Sequence, residues 1–239
     1  PYTTLFRSDI AAGGQGAPLV PAFHDALFRM PGRHRAIVNI GGMANITELC
    51  PGKVTRGFDC GPGNVLMDAW ISHHRQLPFD EDGQWATEGR VIEDLLARLL
   101  AHPFFALAPP KSCGREQFQF SWLAGMLTGE EPATDVQATL LELSAATIAK
   151  ALVNHCPSAN EVYLCGGGAR NGALRNRIAA HLPCKTHLAT TAELGLDVNW
   201  VEAAAFAWLA HECLAGRPAS LPAVTGAKGA RILGAIYPA

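Results

Sequence analysis

The sequence predicts an α/β fold in which a mixed β-sheet is flanked by helices. Short apolar runs rich in β-branched residues stop at glycine turns, as buried strands do, and longer segments place apolar residues at three- and four-residue intervals, as helices do. Three strands come first, then helices, then strands and helices in alternation, which suggests one sheet between helical layers. With 49% hydrophobic and 17% charged residues in 239, the chain has the composition of a globular domain.

The first three predicted strands form a meander. Residues 36–40 are an apolar run that stops at Gly41 and Gly42, and residues 45–49 alternate like a returning strand. After a Pro-Gly turn, residues 54–58 read as a third strand leading directly into Asp59. The sequence therefore predicts Asp59 at the carboxyl end of a strand.

The remaining elements alternate between helices and strands. A helix is predicted to begin at Asn64, just after the glycine-rich turn at 61–63, because apolar residues then recur at helical spacing. The later predicted elements are helices at 91–100 and 133–154, a strand at 161–165, a helix at 169–182, a strand at 185–190 and a helix at 200–213.

Four glycine clusters lie in predicted loops or at predicted strand ends, at 13–16, 41–42, 61–63 and 166–168. Glycine lets backbone N–H groups approach a phosphate, and a helix N-terminus adds partial positive charge. The clusters at 61–63 and 166–168 are each predicted to precede a helix immediately, although glycines also simply turn the chain. No cluster has the spacing of a P-loop or of a GxGxxG dinucleotide motif.

Asp59 is a candidate for chemistry, since a carboxylate at a strand end beside a glycine turn can act as a general base. An aspartate that only hydrogen-bonds turn amides would occupy the same place. Position alone leaves both interpretations open.

Charge and cysteine usage limit the partners. A net charge of −2 gives no general attraction to nucleic acid or to anionic membranes. The seven cysteines form no CxxC pair and no zinc-ligand spacing, which predicts reduced thiols. No apolar run of roughly 18 residues and no leader segment is expected, so the sequence predicts a cytoplasmic protein.

Five segments together resemble the anhydro-N-acetylmuramic acid kinases, a family of the sugar kinase/Hsp70/actin superfamily. The resemblance extends from Asp9 to Ala239, and the segments that carry it are 9–19 (DIAAGGQGAPL), 39–45 (NIGGMAN), 57–64 (GFDCGPGN), 110–116 (PKSCGRE) and 162–171 (VYLCGGGARN). It implies an actin-like ATPase (ribonuclease H-like) lobe. It also implies a reaction that uses ATP and Mg²⁺ to hydrolyse the 1,6-anhydro ring and phosphorylate O6, giving N-acetylmuramate 6-phosphate and ADP. A homodimer is implied for the full-length protein.

The resemblance also implies site residues. Asp59 would be the base that activates water, and Glu202 an acid near the sugar. The alternative interpretation of Glu202 is an ordinary exposed carboxylate in the first turn of a helix. Asp9 and Gln15 would line the cleft, unless Asp9 is structural. The implied nucleotide contacts are Asn39, Gly41, Gly42, Gly61, Gly63, Gly166, Gly167, Gly168 and Asn171. No metal-ligating residue is predicted.

Family members have two lobes, and the first carries a GTSxDGxD-type phosphate loop that this sequence does not contain. We therefore expect most of the N-terminal lobe to be missing and the chain to be weak or inactive alone. The expected division is a non-matching segment at 1–8, a remnant of the first lobe and crossover at 9–35, and a C-terminal nucleotide-binding lobe at 36–239.

Three alternatives stay open. The protein could be another kinase of the superfamily acting on a different sugar or a carboxylate, or a non-catalytic nucleotide-binding fragment for which Asp59 is dispensable. A metal-dependent hydrolase would have to use His24, His73, His74 and Asp68, whose spacing fits no standard metal site.

Overall fold

The computed structural model of the chain describes residues 3–236. Its centre is a five-stranded mixed sheet in the order β3-β2-β1-β4-β5. The first three strands are antiparallel neighbours, whereas β4 and β5 run parallel to β1. The strands are β1 (Arg35–Ile40), β2 (Met43–Leu49), β3 (Arg56–Pro62), β4 (Glu161–Cys165) and β5 (His187–Thr190). The predicted fold class, an α/β lobe with a mixed sheet flanked by helices, is confirmed.

Ten α-helices accompany the sheet within residues 3–236. They are α1 (Thr3–Ala11), α2 (Val20–Phe28), α3 (Val65–Arg75), α4 (Gln84–Glu88), α5 (Glu93–Leu100), α6 (Phe120–Ala124), α7 (Ala133–His155), α8 (Gly172–His181), α9 (Val201–Leu214) and α10 (Pro222–Thr225). The expected boundary between residues 8 and 9 falls inside α1. The expected domain division stays a prediction.

The central strand β1 is buried on both faces, which explains its continuous apolar run. Val38 and Ile40 belong to the larger core, formed with α3, α4, α5, α7 and α8. Ile37 points the other way into a smaller core, where Phe23 of α2 meets Val201 of α9. The sheet therefore separates two helical layers, because successive side chains of a strand face opposite sides.

The longest helix, α7, is the core helix of the larger layer. Its length and composition would also suit a membrane span, contrary to the expectation that no segment reaches that size, but 83% of its apolar window is buried inside the protein. It contacts β3 and the helices α3, α4, α5 and α8. Burial on nearly all sides explains why this helix is apolar around its circumference.

The third strand differs from the prediction. It begins at Arg56 and continues to Pro62, so that Asp59 lies inside it and not after it. Asp59 pairs with Asn45 and Gly61 pairs with Ala44, which leaves Cys60 as the extra residue of a β-bulge. The bulge lets the strand continue pairing through the glycine turn.

The segment after β4 also differs. The predicted helix at 169–182 begins only at Gly172, because residues 167–170 form one turn of 3₁₀ helix first. Asn171 is the N-cap of α8, and its side chain accepts a hydrogen bond from the Leu174 N–H. The prediction that the glycines at 166–168 immediately precede an α-helix is therefore wrong by one short turn.

Candidate active site

Three glycine turns meet at the carboxyl ends of the central strands. The turn at Gly41 and Gly42 ends β1, and it accepts hydrogen bonds from the next turn: Gly63 N donates to Gly42 O, and Asn64 N donates to Gly41 O, each at 2.8 Å. The third turn, at 166–168, ends the neighbouring parallel strand β4. Three clusters that are far apart in sequence thus form one surface, at the edge of the sheet where α/β proteins bind ligands.

Close approach explains why these positions are glycine. A Cβ on Gly63 would overlap the carbonyl oxygen of Gly41, and one on Gly168 would overlap the Ile40 side chain and lie 2.8 Å from Asn64 Oδ1. Gly166 has a φ of +79°, in the region that L side chains rarely adopt. Asn39, at the end of β1, places its Oδ1 3.8 Å from Cys165 Sγ. Larger residues would therefore separate the three turns.

A cavity of about 390 Å³ opens beside these turns. That volume is within the range of roughly 300–1,000 Å³ of small-molecule sites. The residues lining it come from the turn at 166–168, from the start of α3 and from the loop before α4, and include Asn64, Asp68, Asp80, Asp82, Gly167, Gly168 and Asn171. A second cavity, of about 280 Å³, lies at the opposite ends of β4 and β5, far from the glycine turns.

Asp68 lies in the first turn of α3 and is half-buried in this cavity wall. Burial raises the pKa of its carboxyl to about 6, the charge of Arg115 opposes the rise, and Asp80 reinforces it. Asp80 itself accepts hydrogen bonds from the N–H groups of Trp85 and Ala86, and so caps α4. Neither Asp68 nor Asp80 is among the site residues that the family resemblance implies. Asp68 was a candidate only in the alternative of a metal-dependent hydrolase.

Asp59 is buried, with 7% of its surface exposed, and its orientation is fixed by the loop that follows residue 109. Its Oδ2 accepts hydrogen bonds from Ser112 Oγ at 3.1 Å and from Cys113 N at 2.9 Å. Its backbone N–H donates to Lys111 O at 3.0 Å. Within residues 3–236, Oδ1 accepts no hydrogen bond, so one oxygen is held and the other is free to accept a proton.

Burial raises the pKa of Asp59 above its ordinary value. The hydrogen bonds from Cys113 and Ser112 and the charge of Lys111 oppose this effect, since they stabilise the ionised carboxylate. Lys111 is buried too, and its Nζ donates to Phe104 O at 3.3 Å and lies 4.6 Å from the centre of the Phe104 ring. A carboxylate with a raised pKa is a stronger base.

The two predicted cleft residues of the N-terminal segment have different surroundings. Asp9 is fully buried; its Oδ2 accepts from Gly16 N at 2.9 Å and its Oδ1 from Thr225 Oγ1 at 2.7 Å. Gln15 is exposed, and its backbone N–H donates to Thr225 O. Asp9 thus has the contacts of a structural carboxylate, the role that the sequence left open, and its substrate contact stays a prediction.

Glu202 is an exposed residue in the first turn of α9. That helix packs against α2, in the smaller core on the other side of the sheet from α7. No hydrogen bond joins Glu202 to Asp59 or to the glycine turns within residues 3–236. The structure therefore brings Asp59, the glycine turns and Asn171 to one edge of the sheet without linking Glu202 to them.

No group of three His, Cys, Asp or Glu side chains within residues 3–236 is arranged to hold a metal ion. His24 in particular is buried on α2, where its Nδ1 lies 2.8 Å from Thr47 Oγ1, whereas His73 and His74 are exposed on α3. Among the described residues, the hydrolase alternative has no structural support.

Comparison with known proteins identifies the family. The family model described as "Anhydro-N-acetylmuramic acid kinase" matches residues 3–239. The chain belongs to the anhydro-N-acetylmuramic acid kinase family. A relative of that name from Pseudomonas paraeruginosa is 58% identical over 235 residues, which are 98% of this chain and 64% of the relative. Another, from Nitrosospira multiformis, is 55% identical with the same two coverages.

The chain thus spans about 64% of the length of the curated family members it matches. Among solved structures, the activator of the 2-hydroxyisocaproyl-CoA dehydratase from Clostridium difficile matches 80% of this chain and 66% of its own, at 18% identity and a TM-score of 0.45. That likeness is too weak to bear on function.

Within this member of the family, the sequence alone does not reveal the loop that holds Asp59. The PKSCGRE segment resembles a family signature, but the sequence does not indicate its contact with Asp59, because Ser112 and Cys113 lie more than fifty positions away. A run of polar residues after Pro109 and Pro110 was the available signal. The contact itself depends on the fold.

Proposed function

We propose that this chain is the water-activating and nucleotide-binding part of a kinase that converts anhydro-N-acetylmuramic acid, ATP and water to N-acetylmuramate 6-phosphate and ADP. The observation that carries the proposal is the geometry of Asp59, whose Oδ2 is held by two donors while Oδ1 accepts no hydrogen bond within residues 3–236. Family membership and the adjacent glycine turns support it.

Asp59 acts as a general base in this proposal. Its carboxylate accepts a proton from water as the water oxygen attacks the anomeric carbon, and the bond from that carbon to O6 breaks. The freed O6 attacks the γ-phosphorus, and the bond to the bridging oxygen breaks to release ADP. The water oxygen stays on the sugar as the new anomeric hydroxyl. The proton that Asp59 accepts from this water then passes to solvent.

The glycine turns align the nucleotide. Backbone N–H groups at Gly42 and the turn at 166–168 can approach phosphate or ribose without side chains between, and α3 begins at the same place. The Gly41 N–H donates to Met43 O at 3.3 Å, so Gly41 contributes to the proposed contact through its lack of a side chain. Asn171 borders the cavity where we place the adenosine. Mg²⁺ would take its ligands chiefly from the nucleotide phosphates and water, as it commonly does, because the described residues offer no three-ligand cluster.

Glu202, Asp9 and Gln15 remain proposed substrate contacts on the strength of the family resemblance. We also propose a cytoplasmic location and a homodimer, with the sugar and ATP as ligands and neither nucleic acid nor membrane as a partner. The net charge of −2 and the seven free cysteines support the location and the ligand class. Light scattering coupled to size exclusion would test the dimer.

The decisive experiment replaces the aspartate corresponding to Asp59 by Asn in the full-length Pseudomonas paraeruginosa relative. We expect the rate of ring opening to fall by at least about 100-fold, which is the lower end of general base contributions. Mass spectrometry of the sugar product measures this rate. ATP affinity, measured in parallel, should stay within about two-fold because Asp59 is not a nucleotide contact. A variant that forms product at the unsubstituted rate would contradict the assignment of the base.

The acceptor is tested separately in the same relative. N-acetylmuramic acid without the anhydro ring, other hexoses and acetate should not be phosphorylated at a comparable rate. Efficient transfer to any of them would favour another kinase of the superfamily.

A further inference from the structure

The loop that holds Asp59 carries an arginine to which the proposed reaction assigns no role. Arg115 follows Ser112 and Cys113 by three and two positions, and it begins a single turn of 3₁₀ helix at residues 115–117. The loop therefore leads from the carboxylate of Asp59 to the guanidinium of Arg115 over a few residues.

Arg115 lies over the glycine turn at the end of β1. Its Nη2, Nε and Cζ atoms are 3.1, 3.2 and 3.4 Å from the position that a Cβ on Gly42 would occupy. Both nitrogens are nearer to that position than Cζ is, so the Nε–Nη2 edge of the guanidinium is turned obliquely toward Gly42. The donors of that edge, the N–H groups of Nε and Nη2, therefore lie beside the backbone of the turn.

The charge of Arg115 is available to a ligand. The side chain is exposed, and it forms no hydrogen bond or ion pair within residues 3–236. The charge of Arg115 acts to lower the pKa of Asp68 in the first turn of α3, although the two side chains form no ion pair. An unpaired guanidinium beside a glycine turn and a helix N-terminus is an arrangement that attracts a phosphate.

We propose that Arg115 binds a phosphate group of the nucleotide at the Gly41–Gly42 turn. The inference rests on the proposed nucleotide site and adds a contact to it. A guanidinium can donate two parallel hydrogen bonds to phosphate oxygens and neutralise charge that develops during phosphoryl transfer. Because Ser112 and Cys113 hold the base, one loop then positions both the base and the phosphate.

Nucleotide binding by the 239-residue chain tests this assignment. Calorimetric titrations would compare adenosine, AMP, ADP and ATP, at one salt and Mg²⁺ concentration, in the wild type and in Arg115→Ala. We expect the variant to bind ADP and ATP about ten-fold to one hundred-fold more weakly, with adenosine affinity unchanged, since one charged hydrogen-bonding group is lost. Arg115→Lys should recover only part of the lost affinity, because lysine keeps the positive charge but lacks the planar pair of N–H donors.

Two further variants control the experiment. Arg90→Ala removes another exposed arginine whose side chain makes no hydrogen bond within residues 3–236, and it should bind all four ligands as the wild type does. Gly42→Ala would displace the guanidinium, so its effect on ATP affinity should be less than additive with that of Arg115→Ala.

The outcomes separate the inference from the function on which it rests. Unchanged ATP affinity in Arg115→Ala would overturn the arginine assignment and leave the nucleotide site intact. An equal loss for adenosine and ATP would also overturn it, since that pattern indicates a structural role. A wild-type chain that binds none of the four ligands would contradict the proposed nucleotide site, and the arginine contact with it.

Discussion

The hydroxyl of Ser112 donates to Oδ2 of Asp59 across 3.1 Å, although the two residues are 53 positions apart in the chain. Together with the Cys113 N–H at 2.9 Å, this bond determines which carboxylate oxygen is held and which faces outward. Ser112 is thus a positioning residue, which acts on the proposed chemistry only through Asp59.

Replacing the serine that corresponds to Ser112 by Ala in the Pseudomonas paraeruginosa relative should lower kcat by about ten-fold, the effect of losing one hydrogen bond to a charged group. The pKa of Asp59 should rise further, since this bond favours the ionised form. The acid limb of the pH–rate profile should therefore move to higher pH. The Ser→Thr variant, which restores a hydroxyl, serves as the control. An unchanged kcat and profile in the Ala variant would contradict the positioning role.

Gly168 and Gly167 form a matched pair of neighbouring positions. A Cβ on Gly168 would overlap Ile40 and approach Asn64, whereas the nearest atom to a Cβ on Gly167 is 3.9 Å away. Gly168→Ala should lower the free energy of unfolding by about 1–3 kcal/mol through overpacking, and Gly167→Ala should leave it nearly unchanged. Urea denaturation of both variants checks this. Equal effects on stability would contradict the packing argument.

Asp9 should matter for stability. Asp9→Ala leaves the Gly16 N–H and the Thr225 hydroxyl without their acceptor in a buried place, which should cost about 1–3 kcal/mol or more in the free energy of unfolding. Asp94→Ala, at an exposed position on α5, is the control and should change stability little. A variant as stable as the wild type would contradict the structural role of Asp9.

His24 should make stability depend on pH. Burial lowers its pKa from 6.5 to about 3 in the folded protein, so between these values the unfolded chain binds a proton that the folded chain does not. Stability should therefore fall as pH falls from about 6.5 toward 3, by about 1.4 kcal/mol per pH unit from this group.

The difference between wild type and His24→Gln measures that contribution. Urea titrations at several pH values should show that the free energy of unfolding falls less steeply with falling pH in the variant. The difference in slope should reach up to about 1.4 kcal/mol per pH unit, the value for one proton. Thr47→Val removes the hydroxyl beside His24 Nδ1 but keeps the buried imidazole, so it should retain the wild-type slope. Identical slopes in wild type and His24→Gln would contradict the prediction.

β1 and β4 were predictable because each is a short, mostly apolar run that ends at a glycine turn. The predicted strand at 161–165 matches β4, and the helix predicted at 133–154 ends within one residue of α7. Periodicity could not find α4 and α6, since five residues are too few to show a helical repeat.

The placement of Asp59 shows where local pattern fails. The glycine turn after it suggested the end of a strand, but pairing of Gly61 with Ala44 across the bulge extends β3 to Pro62. That pairing depends on a partner strand and not on the residues beside Asp59. The contacts of Asp59 with Ser112 and of Asp9 with Thr225 are likewise set by the fold.

The hydrogen bond from the Asp59 backbone to Lys111 O has a consequence for solubility. β3 is one of the two edge strands of the sheet, and an open strand edge is a template for pairing with another chain. The segment from Lys111 to Cys113 covers that edge at Asp59, and Pro110 beside it has no N–H with which to continue a ladder. Substitutions that detach this loop should therefore expose the sheet to edge-to-edge aggregation as well as disorient the carboxylate.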